Sequence, residues 1–180
     1  MTGPDLGLAI VRVVTGLIFA AHGAQKAFGW WQGPGFAGWK GAMERMGLRP
    51  AWFWAAVSTV VELVGGLLLV VGLLTEIAAP FLVAQSLVII FRRHLAKGFW
   101  NHNGGIEFPL SLLGGALAVT ASGAGAISLD AAAGIAFADQ VRGIILLVAL
   151  VGALVAMVLR PAEAQAGTMG SPASGSPRPA

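Results

Sequence analysis

Five apolar stretches, each about long enough to cross a bilayer, restrict this chain more strongly than any other feature. A helix rises 1.5 Å per residue, so roughly 20 apolar residues cross the ~30 Å hydrocarbon layer. We therefore predict an all-α fold, a polytopic membrane helical bundle with five spans. The stretches cover about residues 6–27, 52–74, 77–91, 106–126 and 143–159.

The composition agrees with an integral membrane protein and excludes several other classes. Of the 180 residues, 57% are hydrophobic and 11% are charged, whereas soluble domains have about 25% charged residues. The net charge of +3 is too small to indicate a nucleic-acid partner, so the expected partner is the lipid bilayer. Because there is no cysteine, this chain has no disulfide, thiol chemistry or cysteine-held iron–sulfur cluster.

The segments outside the apolar stretches give two further predictions. Residues 161–180 are rich in Pro, Gly, Ser and Ala, which cannot bury a core, so we expect a disordered tail. The one long loop, residues 28–51, has apolar side chains at spacings of three and four, which predicts a short helix lying on the membrane surface. These side chains are Phe36, Trp39, Met43 and Met46.

The distribution of Lys and Arg predicts how the chain is oriented in the plasma membrane. Cytoplasmic loops carry an excess of these residues. The first and third loops are therefore expected to face the cytoplasm, with the N-terminus outside and the C-terminus inside. Arg142, in the fourth loop, is an exception. The basic residues of the first and third loops are Lys26, Lys40, Arg45, Arg49, Arg92, Arg93 and Lys97.

Two charged residues lie well inside the apolar stretches. Glu62 is ~15 Å into the second span and Arg12 is ~9 Å into the first, from the opposite side. A charge near the bilayer centre costs at least ~2.5–3.5 kcal/mol, so it normally has a partner or a task. We predict an Arg12–Glu62 ion pair and take both residues as candidate catalytic residues. The alternative is that the pair only fixes the register of two helices.

A group of polar residues is expected near the cytoplasmic side of the bundle. His22, Lys26 and Glu107 are candidates for binding a polar head group, such as a quinone ring, or an anion. The alternative is that they are ordinary residues of the membrane boundary. We predict no metal site, because the spacing of His94 and His102 matches no common ligand pattern.

Four groups of motifs stand in order between about residues 8 and 130, and together they resemble the DoxX family of membrane proteins. The resemblance implies a four-helix membrane domain over residues 1–130. This chain adds a further transmembrane helix within 131–160 and the tail. The motifs are Arg12…His22-Gly23-x-x-Lys26; Glu62-x-x-Gly65-Gly66 with Gly72-Leu73-Leu74-Thr75; Gly98-Phe99 with Gly104-Gly105-x-Glu107; and Gly123-x-Gly125-x-x-Ser128-Leu129-Asp130.

The resemblance also gives an expected function. Some DoxX relatives are described as subunits of a thiosulfate:quinone oxidoreductase, and others as membrane tethers of soluble redox enzymes. It implies a membrane subunit or anchor of a redox complex, with a quinone as the expected cofactor and an oxidoreductase as the partner. A small transporter and a non-catalytic scaffold remain alternatives, and a homo-oligomer is compatible with all of them. The sequence contains no self-contained catalytic motif, so whether the chain is itself an enzyme stays open.

Overall fold

The computed structural model describes residues 2–159, and every regular element in that range is a helix. Three helices are long and apolar enough to cross a membrane, as is a fourth when its last turns, to Lys97, are included. The predicted all-α membrane bundle is confirmed, while the predicted tail lies outside the described residues. The helices are α1 Gly3–Phe28, α2 Gly35–Arg45, α3 Ala51–Val71, α4 Thr75–Ile89, α5 Glu107–Ser122, α6 Leu129–Ala133 and α7 Asp139–Val158.

The contact between α1 and α3 is close because glycines face the neighbouring backbone. A methyl group added at Gly16 would lie 2.7 Å from the Gly66 carbonyl oxygen, and one at Gly66 would lie 2.5 Å from the Ala20 nitrogen. One added at Gly23 would overlap the backbone of Leu63. Small residues allow membrane helices to approach in this way. The antiparallel register of α1 and α3 is therefore fixed by their glycines.

The main apolar core joins α1 and α3 to α4 and α5. Its side chains are buried on all sides, so they pack the centre of the bundle and not the lipid. They include Phe19, Leu69, Leu82, Leu113 and Val119.

Helix α5 is shorter than the predicted span of about residues 106–126. It ends at Ser122, because Gly123 and Gly125 both take a positive φ of 76° that glycine adopts with little strain. Its 16 residues cover roughly 24 Å, less than the ~30 Å hydrocarbon layer. The chain then turns back toward α1 in a loop.

The predicted helix in the first loop is confirmed as α2. Its apolar side packs against the first turns of α3, so this side contacts the rest of the protein. In this position α2 closes one end of the bundle. The buried residues of this contact are Trp39, Ala42, Met43, Leu48, Ala51 and Ala55.

The predicted fifth span is present as α7, which packs against α4. Small side chains make this contact, since Ala84 of α4 is buried together with Ala149 and Ala153 of α7. Arg92, in the turn after α4, donates to the carbonyl oxygen of Ala156 at 2.7 and 3.0 Å. The C-terminal end of α7 is therefore held at the same end of the bundle as Arg92.

We predict that Gly23→Ala lowers the free energy of unfolding by about 1–3 kcal/mol, because the new methyl group overlaps the backbone of α3. Thermal unfolding of the purified protein in detergent measures the change. Gly114→Ala on α5 is the matched control, since a methyl group there meets no atom within 4 Å. Equal stability of the two variants would contradict the proposed α1–α3 contact.

Candidate functional site

A buried ion pair lies where α1, α2, α3 and α4 meet. Lys26 Nζ is 2.5 Å from Glu62 Oε1, and their side chains are only 8% and 3% exposed. Lys26 also donates to Ser58 Oγ at 3.3 Å and lies 4.2 Å from the centre of the Trp39 ring. Gln85 Nε2 donates to Glu62 Oε1 at 2.9 Å and lies 2.7 Å from Ser58 Oγ. One polar network thus connects all four helices.

The predicted Arg12–Glu62 ion pair is wrong, because Glu62 is paired with Lys26. The prediction measured depth from the ends of the two apolar stretches, as if those ends were level. In the structure Gly23 lies against Leu63, so the start of α3 extends about two turns past the end of α1. This offset brings Glu62 next to Lys26 and leaves Arg12 roughly 15–18 Å away along α1.

Arg12 binds backbone carbonyl groups at the opposite end of the bundle. Its side chain is buried, and its guanidinium donates to the carbonyl oxygen of Ile127 at 2.6 Å and to that of Ala124. A methyl group added at Gly72 would lie 2.7 Å from this guanidinium, so the glycine makes room for it. These contacts hold the loop after α5 against α1 and α3, while the predicted catalytic role of Arg12 stays a prediction.

Asp130 completes this structural cluster. Its carboxylate accepts the backbone N–H groups of Leu74 and Thr75 at 2.7 and 2.9 Å, at the N-terminus of α4. Its own backbone N–H donates to the Gly72 carbonyl oxygen at 2.8 Å. A carboxylate is favourable at a helix N-terminus, where backbone N–H groups lack partners within the helix. The Gly123–Asp130 motif therefore links α5 to the start of α4.

A cavity of about 530 Å³ opens beside the Lys26–Glu62 pair. Small-ligand sites have volumes of about 300–1,000 Å³. Glu62 is in its wall, and the second carboxylate oxygen, Oε2, is buried and without a hydrogen-bond partner in the part of the chain that the structure describes. A buried carboxylate oxygen normally accepts a hydrogen bond, and the described residues provide none for Oε2. Other wall residues include His22, Gln85, Arg93, His94, Phe108 and Pro109.

Three of the predicted site residues are brought together, since His22, Lys26 and Glu62 all line this cavity. Glu107 is outside its described wall. The Glu107 carboxylate accepts the backbone N–H of Asn101 at 2.9 Å, which stabilises the turn before α5. The predicted head-group role of Glu107 stays a prediction, and its observed contact is a local one.

Sequence reasoning missed Gln85, Ser58 and Trp39 as parts of the site. Gln85 is the single amide side chain within the third apolar stretch, and a lone polar residue there could have indicated a site residue. Ser58 lies four residues before Glu62, on the same face of α3. Trp39 had no such signal, because its contact with Lys26 depends on how α2 folds over the end of α1.

We predict strong coupling between Lys26→Met and Glu62→Gln. Each single change leaves a buried polar group without its partner and should cost about 3–5 kcal/mol, while the double variant should lose much less than the sum. The free energy of unfolding of the four proteins in detergent gives the coupling energy.

The exposed pair Lys40–Glu44, with a 3.8 Å separation, provides the matched control. Its double-mutant cycle should give a coupling energy below about 0.5 kcal/mol. Additive effects of the Lys26 and Glu62 changes would contradict the buried pair.

Comparison with known proteins places the chain in a family. The DoxX family profile matches residues 7–95. The "Uncharacterized membrane protein Rv3486" of Mycobacterium tuberculosis is 35% identical over 130 residues, which are 67% of this chain and 77% of that protein. The "Putative oxidoreductase CatD" of Bacillus subtilis is 29% identical over 127 residues, which are 70% and 86%. No solved structure matches. This chain therefore belongs to the DoxX family of membrane proteins.

Proposed function

We propose that this protein is the membrane subunit or anchor of a quinone-linked redox complex, and that its cavity binds the quinone head group. The observation that carries the proposal is the carboxylate of Glu62. The Glu62 side chain is in the wall of a ligand-sized cavity, one of its oxygens is paired with Lys26, and the other is buried without a hydrogen-bond partner among the described residues. The name of the Bacillus subtilis relative, which describes an oxidoreductase, supports the redox assignment.

The residues around the cavity have the chemistry that a quinone requires. A quinone has two carbonyl oxygens that accept hydrogen bonds, and a quinol has two hydroxyl groups that donate them. The Lys26 ammonium is a donor suited to the carbonyl oxygen, and Glu62 Oε2 is an acceptor suited to the hydroxyl group. The quinone ring would also contact the aromatic side chains of Phe108 and Trp39, which line the same cavity.

A partner oxidoreductase is needed for the electrons. Reduction of a quinone to a quinol takes up two electrons and two protons, and a chain without cysteine has no thiol to supply the electrons. We assign the electrons to a flavin, metal or thiol group of the partner. The Lys26–Glu62 pair then has the task of holding the head group and passing protons to its oxygens.

We also propose that the end of the bundle containing α2 faces the cytoplasm, with the N-terminus outside the plasma membrane. Basic residues are concentrated at this end, as the positive-inside rule requires, and they offer a surface to the partner. Arg142 is the exception, and it is paired at 3.5 Å with Glu76 and at 3.4 Å with Asp139. The basic residues are Lys40, Arg45, Arg49, Arg93 and Lys97.

We predict that Glu62→Gln weakens quinone binding by about 10- to 100-fold, because the neutral amide is a poorer acceptor and no longer holds Lys26 as a charged donor. Quinone titration of the purified protein in lipid nanodiscs, followed by tryptophan fluorescence, gives the Kd. Glu44→Gln on exposed α2 is the control and should bind as the unaltered protein does. Unchanged binding in Glu62→Gln would exclude the proposed site.

The proposed orientation can be tested by single-cysteine labelling, because the chain has no cysteine of its own. We predict that a membrane-impermeant maleimide labels Ala132→Cys in intact cells, and that it labels Lys40→Cys only after the membrane is permeabilised. Both residues are exposed, at opposite ends of the bundle. The reverse pattern would show that the basic end faces outward.

A further inference from the structure

A second groove, almost wholly apolar and about 120 Å³ in volume, lies between α2, α3, α4 and α7. It adjoins the polar cavity, because Trp39, Gln85, Ile89 and Arg93 line both. The groove is therefore apolar and the cavity is polar, but these four residues are part of both walls. The apolar side chains of the groove include Val57, Val61, Phe81, Val88 and Ala153.

The groove exists because α7 packs against α4 and leaves space toward α3. Ala149 and Ala153 are buried against Ala84 of α4. Gly152 is next to them in the groove wall, and a methyl group added there would meet no atom within 4 Å. Helix α7 is thus packed against α4 through small residues, and beside Gly152 it leaves space in the groove.

Gln85 marks the boundary between the groove and the polar cavity. Its amide lies 2.7 Å from the hydroxyl of Ser58, which lines the groove, and donates to the carboxylate of Glu62, which lines the cavity. A ligand spanning this boundary would have a polar head beside Glu62 and an apolar part beside α7. This is the distribution of polarity in an isoprenoid quinone.

We propose that the groove binds the isoprenoid tail of the quinone whose head group occupies the polar cavity. This proposal rests on the proposed function and adds α7 to the ligand site. A long-tailed quinone is dissolved in the lipid, so it needs an apolar route to Glu62. The wall of the polar cavity, in contrast, includes Gln32 and Arg45, which do not line the groove.

The size of the groove suits the first part of such a tail. An apolar cavity of about 150 Å³ is large enough for benzene, so 120 Å³ fits roughly one five-carbon isoprenoid unit. The remaining units would extend between α3 and α7 into the lipid. Val57 of α3 and Leu154 of α7 are 37% and 57% exposed, as expected of residues that face lipid there.

The test fills the groove with Gly152→Leu and compares it with Gly143→Leu on the same helix. Gly143 is also free of neighbours within 4 Å of an added methyl group, and it is outside the groove wall. Nanodisc titrations use a benzoquinone and a naphthoquinone, each with two isoprenoid units and each without a tail. We expect Gly152→Leu to weaken binding of the tailed quinones about tenfold and to leave the tail-less ones unchanged.

The outcomes separate this proposal from the proposed function. If Glu62→Gln weakens all four quinones but Gly152→Leu weakens none, or weakens the tailed and tail-less forms equally, the groove assignment is overturned. If Glu62→Gln weakens none of them, the quinone site itself is overturned. Gly143→Leu should bind all four quinones as the unaltered protein does.

A second measurement does not depend on a substitution. A quinone carrying a photoreactive diazirine in its first isoprenoid unit is crosslinked to the unaltered protein, and the modified residue is found by mass spectrometry. We expect labelling of α3 or α7 residues that line the groove. Labelling confined to α1 or α5 would overturn the groove assignment.

Discussion

The close approach of α1 and α3 determines where the charged side chains of this bundle lie. Because Gly16, Gly23 and Gly66 have no side chain, the two backbones touch and only one axial register fits. In that register Lys26 is next to Glu62 and Arg12 is next to Gly72. A shift of one helical turn would separate both sets of contacts by ~5 Å. Both polar clusters of the protein are therefore consequences of the same apolar contact.

The two clusters differ in what their charged side chains bind, which is the backbone at one end and other side chains at the other. At one end the Arg12 guanidinium binds carbonyl groups of a loop, and the Asp130 carboxylate binds backbone N–H groups at the start of α4 that lack helical partners. At the other end Lys26 and Glu62 bind side chains beside a cavity, and Glu62 Oε2 has no hydrogen-bond partner among the described residues. Burial of a charge is common to both. What distinguishes the candidate site is the cavity of about 530 Å³ beside it, whose wall contains both Lys26 and Glu62.

The residues that match the DoxX profile form only part of the bundle. Residues 7–95 match the DoxX profile, and they contain most of α1, all of α2 to α4 and so the whole Lys26–Glu62–Gln85 network. Helix α7 lies beyond that range and is joined to the bundle through α4 and the carbonyl bonds of Arg92. The ion pair thus lies in the matched range, while Phe108, Pro109 and Leu112 of α5 complete the cavity wall from outside it. The apolar groove is lined in part by α7, which lies outside the matched range.

The sequence by itself determined the membrane location, the helical bundle and most of the spans, because these follow from runs of apolar residues and from the length of a helix. It also singled out Glu62 and Lys26, since a charge inside an apolar stretch is visible without coordinates. Their pairing was decided only by tertiary structure. The axial offset of α1 and α3 depends on which glycines meet across the contact, and apolar run lengths carry no information about it. The position of Trp39 over Lys26 likewise depends on a contact between segments that are distant in the chain.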